Sequence, residues 1–308
     1  MIKYIFIMIS ALCLGIVNHS GFEPTDVSVF PPSGVTGSWN GNASCVVISR
    51  NIILTTIHQG GGVGSKVVFN GDCSDVYSIA AEYKHPFADI RLALLNYANL
   101  PDWVMPYVGN KEVGMTISFM GYGYGAGDTL LTDSWPYGYN WNSVRSLRYG
   151  TNKIKRVSVI YLISYFDSPL DTLYESALAV GDSGSGWFYY DGEGWYVVAL
   201  SNEVEHMGFS LFRSNIDPAI PDPDYMQAVR VSLYSDWIQS IMNLWECIFI
   251  PGDLDNTCQL DLNDVAVMMN KWLDDCSSLN HYCEGADFNK DNKVDFKDYA
   301  VLINYIGY

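Results

Sequence analysis

From about Ser28 to Asn202, short runs of β-branched and aromatic residues alternate with glycine-rich turns. Cys45 to Ile48, Ile52 to Thr56, Lys66 to Phe69, Thr116 to Met120 and Trp195 to Leu200 are such runs. Strands of this length and spacing predict an all-β sandwich or barrel. The period changes between Ser235 and Leu244, where Trp237, Ile238, Ile241 and Met242 form an apolar stripe at helical spacing. Ile248-Phe249-Ile250 then runs into Pro251-Gly252, a breaker pair that closes a short linker.

Beyond Pro251 the pattern repeats with an offset of 34 residues. Asp253, Asp255, Thr257, Asp261 and Asp264 correspond to Asp287, Asn289, Asp291, Asp295 and Asp298. Val265, Met268, Met269 and Trp272 correspond to Tyr299, Leu302, Ile303 and Ile306, each set spaced as one face of a helix. Each repeat therefore predicts an acidic loop opening an amphipathic helix, and the two helices are expected to bury their faces together. The expected boundaries are a leader over 1–20, a large domain over 24–245, a linker over 246–251 and a small domain over 252–308.

The leader follows from Lys3, an apolar run from Tyr4 to Val17, and polar Asn18, His19 and Ser20. That run is short for a bilayer span and has the order of a secretory signal, with cleavage expected near Ser20. No later segment is apolar enough to cross a membrane, so the chain is expected to be secreted. A length of 308 residues accommodates two domains, and a formal charge of -17 argues against nucleic-acid binding. Outside the leader stand Cys45, Cys73, Cys247, Cys258, Cys276 and Cys283, an even set that suits disulfides in an exported chain. Cys45 and Cys73 are the only two in the large domain and are expected to pair. The other four leave their connectivity open, with Cys258 able to reach Cys276 or Cys283.

Candidate chemistry gathers at three points. Acyl transfer at a serine needs a base, a carboxylate to orient it, and donors for the oxyanion. His58 ends an apolar strand beside Gly60, Gly61 and Gly62, and Asp89 immediately precedes the apolar run Ile90 to Leu95. Ser183 stands in Gly181-Asp182-Ser183-Gly184-Ser185-Gly186, where flanking glycines let the amides of Gly181 and Ser183 turn toward one point. In the chain order His, Asp, Ser the three make a candidate catalytic triad.

The large domain resembles the chymotrypsin/trypsin family of serine peptidases from about Gly34 to Asn243. Ile52 to His58 resembles its histidine motif, Ala88 to Leu95 its aspartate motif and Val180 to Gly186 its serine motif. Gly121-Tyr122-Gly123 is similar to the segment opening its second barrel, and Val231 to Asn243 to its closing strand and helix. The resemblance implies a mainly β fold of two six-stranded antiparallel barrels with a C-terminal helix, and hydrolysis of protein or peptide substrates. It assigns His58 as general base, Asp89 as its orienting carboxylate, Ser183 as nucleophile and the amides of Gly181 and Ser183 as the oxyanion hole. It also puts Ala177, six residues before the nucleophile, at the base of the specificity pocket, with Ser201 beginning one wall. Without a carboxylate at Ala177 an apolar or small side chain is expected there. Glu203 or Glu205, if inward, would favour a basic side chain, and His206 an acidic one.

The departures are specific. Gln59 follows His58 where the family has a cysteine, and Ser185-Gly186 follows where Gly-Pro is usual. No Arg or Lys followed by Ile-Val-Gly-Gly occurs near the start, although in many relatives such a new amino terminus pairs with the aspartate corresponding to Asp182. The competing reading is an inactive peptidase-like scaffold that acts as a calcium-dependent binding protein.

Calcium takes six to eight oxygen ligands, supplied in a twelve-residue loop from positions 1, 3, 5, 7, 9 and 12. Asp287, Asn289, Asp291, Lys293 through its carbonyl, Asp295 and Asp298 fit that pattern, with Asn292 tolerating positive φ at position 6. The first loop offers Asp253, Asp255, Thr257, Gln259, Asp261 and Asp264, with Cys258 in place of the usual glycine. Two such loops, each followed by one helix, resemble a type I dockerin module over Gly252 to Tyr308. The resemblance implies calcium-dependent folding of a small helical domain and docking to a cohesin on a scaffold or cell surface.

Overall fold

The computed structural model describes residues 16–69, 76–96, 98–132, 135–167, 170–212, 223–246, 252–255, 260–277 and 280–306. Cys13, Cys73, Cys247, Thr257, Cys258 and Gln259 lie outside the described residues. The chain divides into two compact units, Met1–Asp236 and Trp237–Tyr308.

The five strand runs expected in the large unit are all strands. Ala43–Ser49, Ile52–Thr55, Lys66–Phe69, Thr116–Gly121 and Trp195–Val204 cover them, with ends shifted by a few residues. A closed six-stranded barrel forms from Thr36–Trp39, Ala43–Ser49, Ile52–Thr55, Arg91–Leu95, Val76–Lys84 and Lys66–Phe69 in that order around its wall. Its core is built on Trp39, Val47, Ile53, Phe69, Ala93 and Leu95, all close to inaccessible.

The second six-stranded half is a curled half-barrel. Arg148–Lys153, Thr116–Gly121, Gly186–Tyr190, Trp195–Val204, Tyr225–Arg230 and Tyr161–Tyr165 pair in sequence as a curled sheet, with Arg156–Val157 added beyond the last. No backbone ladder joins the first of these strands to the last among the described residues. Side chains join them instead: Asn152 Nδ2 donates to Tyr165 O at 2.8 Å and Ser164 Oγ to Lys153 O at 2.7 Å. The hairpin that adds Arg156–Val157 occupies part of the edge that a ladder would need.

The segment expected to end the leader is part of this unit. Val17–Asn18 pairs with Ser176–Ala177, and Ile16 and Val17 are 1% and 0% exposed in the second core. Tyr139 Oη donates to His19 O, and His19 N donates to Glu175 O. Cleavage near Ser20 would strip this strand from the core.

Cys45 carries a free thiol sealed in the barrel, so it is not paired with Cys73 as expected. Burial pushes this thiol up to about 12. Strand alternation turns Cys45 inward among apolar side chains, where it packs as a small hydrophobe.

In the small unit, helices span Leu262–Asn270 and Phe296–Ile306. Asp261 caps the first through a capping box with Asp264. Met268 and Leu302 meet in one core, flanked by Val265, Trp272, Tyr299 and Ile306. Met269 and Ile303, assigned to the same faces by spacing, remain 42% and 37% exposed. Cys276 and Cys283 form a disulfide, which removes both as partners for Cys258. Among the described residues no helix is long and apolar enough to cross a membrane.

Candidate active site

Three strand ends converge within the large unit. His58 follows Ile52–Thr55, Asp89 precedes Arg91–Leu95, and Ser183 lies in the turn before Gly186–Tyr190. Ile52–Thr55 and Arg91–Leu95 are antiparallel neighbours in the first barrel, so pairing alone brings His58 and Asp89 to the same rim. Ser183 arrives from the second sheet, tied across by Ser44 N donating to Ser183 O at 2.9 Å and Ser44 Oγ to Gly181 O at 3.0 Å.

His58 Nδ1 lies 2.5 Å from Asp89 Oδ2, and His58 Nε2 lies 2.8 Å from Ser183 Oγ. Asp89 Oδ1 accepts from the amides of Ile57 at 2.7 Å and His58 at 2.9 Å. Burial raises the Asp89 carboxyl, but the bonds from the His58 ring and from the two amides outweigh it and hold it below its ordinary value. An ionised carboxylate only accepts, so Nδ1 carries the proton and Nε2 is left to accept from the Ser183 hydroxyl.

Gly181 has φ of 98°, a conformation that costs any other residue strain. A Cβ there would also stand 2.5 Å from Arg145 Nη1. Among the described residues, the amides of Gly181 and Ser183 donate to no protein acceptor. Between them Asp182 is sealed from solvent, its carboxylate accepting from Gly123 N at 2.8 Å and Ala179 N at 2.9 Å. Burial pushes this carboxyl up to about 6, and no cationic side chain among the described residues lies within ion-pair distance. A Cβ at Gly123 would stand 2.5 Å from that carboxylate, which explains the second glycine of Gly121-Tyr122-Gly123.

The residues named from the sequence as pocket-forming fare differently. Ala177 is buried, and the Ser201 hydroxyl is taken up by Ser185 Oγ at 2.7 Å and Trp187 Nε1 at 3.1 Å. Glu203 accepts from Gln227, Glu205 from Tyr225 N, and His206 Nδ1 bonds Asp224. Each of these charges thus has a protein partner of its own.

Three residues escaped the sequence reading. Asn202 Nδ2 donates to Asp89 Oδ2 at 2.6 Å, a second donor on the oxygen that faces His58. Gln59 Nε2 donates to Thr55 Oγ1 at 2.5 Å and its Oε1 accepts from Thr56 Oγ1 at 2.6 Å, tying the loop that carries His58. Arg91 is 0% exposed, donates to the carbonyls of Thr56, Gly60 and Gly61 and to Glu82, and lies 4.3 Å over the Trp39 ring. A lone arginine within Ile90-Arg91-Leu92-Ala93 was the available signal, since a charge in a buried strand must be paired. Asn202 left no comparable trace, because its partner is 113 residues away.

Asn202 is a positioning residue, and Asn202→Ala is expected to lower kcat/KM about tenfold, the value of one hydrogen bond to a charge. An unchanged kcat/KM would reduce Asn202 to a packing role.

In the small unit the first acidic loop draws Asp253, Asp255 and Asp264 together, with one carboxylate oxygen of each within 4.8 Å of the others. Asp264 is 0% exposed and accepts from the amides of Leu254 and Asp261. In the second loop Asp298 is likewise 0% exposed, and Asp287 accepts from the amides of Asp291 and Asn292. Asn292 has the expected positive φ, 74°. Asp291 is engaged by Lys297 Nζ at 2.6 Å.

Residues 251–307 match the family model of the dockerin type I domain. No curated protein matches the chain. Among solved structures, neuropsin, a serine protease expressed in the limbic system of mouse brain, is similar at 17% identity. The match covers 69% of this chain and 96% of that one with a TM-score of 0.48.

Proposed function

We propose that the chain is an exported serine endopeptidase carried by a calcium-binding dockerin module. The observation that carries this reading is one imidazole bonded on one side to Asp89 and on the other to Ser183 Oγ, beside two amides with no protein acceptor. Ser183 Oγ attacks the substrate carbonyl carbon as its proton passes to His58 Nε2, and the Gly181 and Ser183 amides donate to the oxyanion. Collapse breaks the C–N bond, the amine leaves with the proton from His58, and water repeats the sequence to release the acid. Asp89 stabilises the imidazolium formed in each half.

The leader is proposed to end at Gly15. Ile16 then begins the mature chain, keeping the buried strand Val17–Asn18 in the core. Ile16 pairs with Gly125, two residues from Gly123, whose amide holds Asp182. N-terminal sequencing of exported protein tests this: a start at Gly21 would overturn it.

The donor chemistry of the small unit fits calcium. Sealed carboxylates of like sign converge, a positive-φ residue stands at position 6, and every group is a hard oxygen donor. Asp253, Asp255, Asp261 and Asp264 would hold one ion, and Asp287, Asn289, Asp291, Lys293 O, Asp295 and Asp298 a second. The bound ions supply the charge that lets these acids pack together. An apolar groove of about 550 Å³ lined by Val265, Met269, Trp272, Phe296 and Tyr299 supports docking to a cohesin-type partner.

Labelling purified protein with a fluorophosphonate probe, followed by peptide mapping, tests the catalytic reading. Modification confined to Ser183 is the expected result. A folded, correctly processed sample that takes up no probe would favour the inactive scaffold.

A further inference from the structure

Away from the serine loop, one histidine and two carboxylates of the large unit converge on a single point. Glu205, His206 and Asp224 each place one ligand atom within 4.8 Å of the other two. Strand pairing brings them there. Glu205 and His206 follow Trp195–Val204, and Asp224 precedes Tyr225–Arg230. The two strands are antiparallel neighbours with Val204 opposite Met226, so residues after the one and before the other share an end of the sheet.

Groups outside the cluster hold all three residues in place. Asp224 is 4% exposed, and its Oδ2 accepts from Leu211 N at 2.8 Å. Its own amide donates to Leu211 O at 3.0 Å and its carbonyl accepts from Phe166 N at 2.9 Å, which leaves Oδ1 for His206 Nδ1. The His206 ring stacks on Phe209 with centroids 5.1 Å apart. Glu205 N donates to Tyr225 O at 3.1 Å, and Glu205 Oε2 accepts from Tyr225 N at 3.2 Å. No lysine or arginine among the described residues pairs with Asp224 or Glu205. A sealed carboxylate beside a second one calls for positive charge. A protonated imidazole balances one of the two negative charges, whereas a dication balances both and takes the neutral imidazole as a ligand.

We infer that Glu205, His206 and Asp224 bind one divalent transition-metal ion of the zinc class. An imidazole nitrogen in the donor set selects such borderline ions over calcium and magnesium, which take oxygen ligands. Zinc holds nitrogen and carboxylate ligands at about 2.0–2.2 Å, and three protein ligands leave it a position for water. Glu205 and His206 stand in a bend over 205–208 that ends at Gly208 with φ of 93°. Glu205 is exposed and His206 half-buried, so both side chains are free to close onto an ion that the fixed Asp224 holds from within. The ion braces this bend against Tyr225–Arg230 and stabilises the large unit. Binding here needs no working triad.

The test is calorimetric titration of zinc chloride into the full chain in excess calcium, which keeps the acidic loops of the small unit occupied. A single zinc per chain is the expected result. Losing a group that merely orients a metal ligand costs about 10- to 100-fold in affinity, so losing a ligand is expected to cost at least tenfold. His206→Gln and Glu205→Gln are the variants of choice because neither side chain is sealed in the core. Glu203→Gln, two residues away and outside the cluster, is expected to leave zinc affinity within about twofold of wild type. In thermal scans, zinc at about a hundred times its dissociation constant is expected to raise the melting temperature of the large unit by about 5–10 °C. The same scan of His206→Gln should show no such rise. Zinc bound equally well by His206→Gln and Glu205→Gln, or not taken up at all by the folded wild-type chain, would overturn the assignment.

Discussion

Replacing Ser183 with alanine is expected to lower kcat/KM toward an alanine-containing peptide by about 10⁶-fold while the melting temperature stays within a few degrees. Ser183 Oγ is the atom that bonds His58 Nε2 at 2.8 Å, and its side chain fills no core position. The loss is chemical because the imidazole then has no hydroxyl to deprotonate, and the free amides of Gly181 and Ser183 have no tetrahedral oxyanion to stabilise. Residues that act as one unit lose their effect together, so His58→Ala/Ser183→Ala is expected to be no slower than Ser183→Ala alone. Asp89→Asn retains the geometry but presents a donor where Nδ1 needs an acceptor, and about 10⁴-fold is expected from that change of tautomer. Steady-state assays of the four proteins decide the matter, and multiplicative losses in the double variant would mean that the two residues act separately.

Chelating calcium is expected to unfold the small unit and leave the large one intact. Asp264 and Asp298 are both 0% exposed, and the oxygens of Asp253, Asp255 and Asp264 crowd within 4.8 Å. Without a cation such like charges repel where water screens them poorly, which favours opening of the loop. Calcium at about a thousand times its dissociation constant adds about 4 kcal/mol to a unit with a small core of its own. Calorimetry is expected to resolve two transitions, of which only one moves with calcium. Asp264→Ala should abolish that movement for the first loop, and proton competition should weaken it as pH falls. A calcium-independent thermogram would remove the metal from the argument.

Wherever the information was periodic or local, the amino-acid order was legible. Short β-branched and aromatic runs between turns marked the strands Ile52–Thr55 and Lys66–Phe69, and helical spacing marked Leu262–Asn270 and Phe296–Ile306. The three triad positions could be read because each stands at an end of an apolar run, where a strand must stop and its last side chain is free to face a rim. Partners distant along the chain were not legible. Asn202, Arg91 and Gln59 are ordinary residues until folding sets a carboxylate, three carbonyls or a hydroxyl beside them.

By itself, then, the sequence determined that the large unit is strand-rich, which residues are candidates for acyl-transfer chemistry, and that a paired acidic-loop module follows a β-rich one. These are consequences of side-chain period and of motifs a few residues long, and both act before the chain closes on itself. Only the tertiary structure decided that Cys45 is a sealed thiol and that Ile16, Val17 and Met226 belong to the core. Those outcomes depend on which faces meet across the barrel and the curled sheet. A side chain's burial is fixed by its neighbours in space, and close packing leaves each cavity to whichever residue the register delivers there.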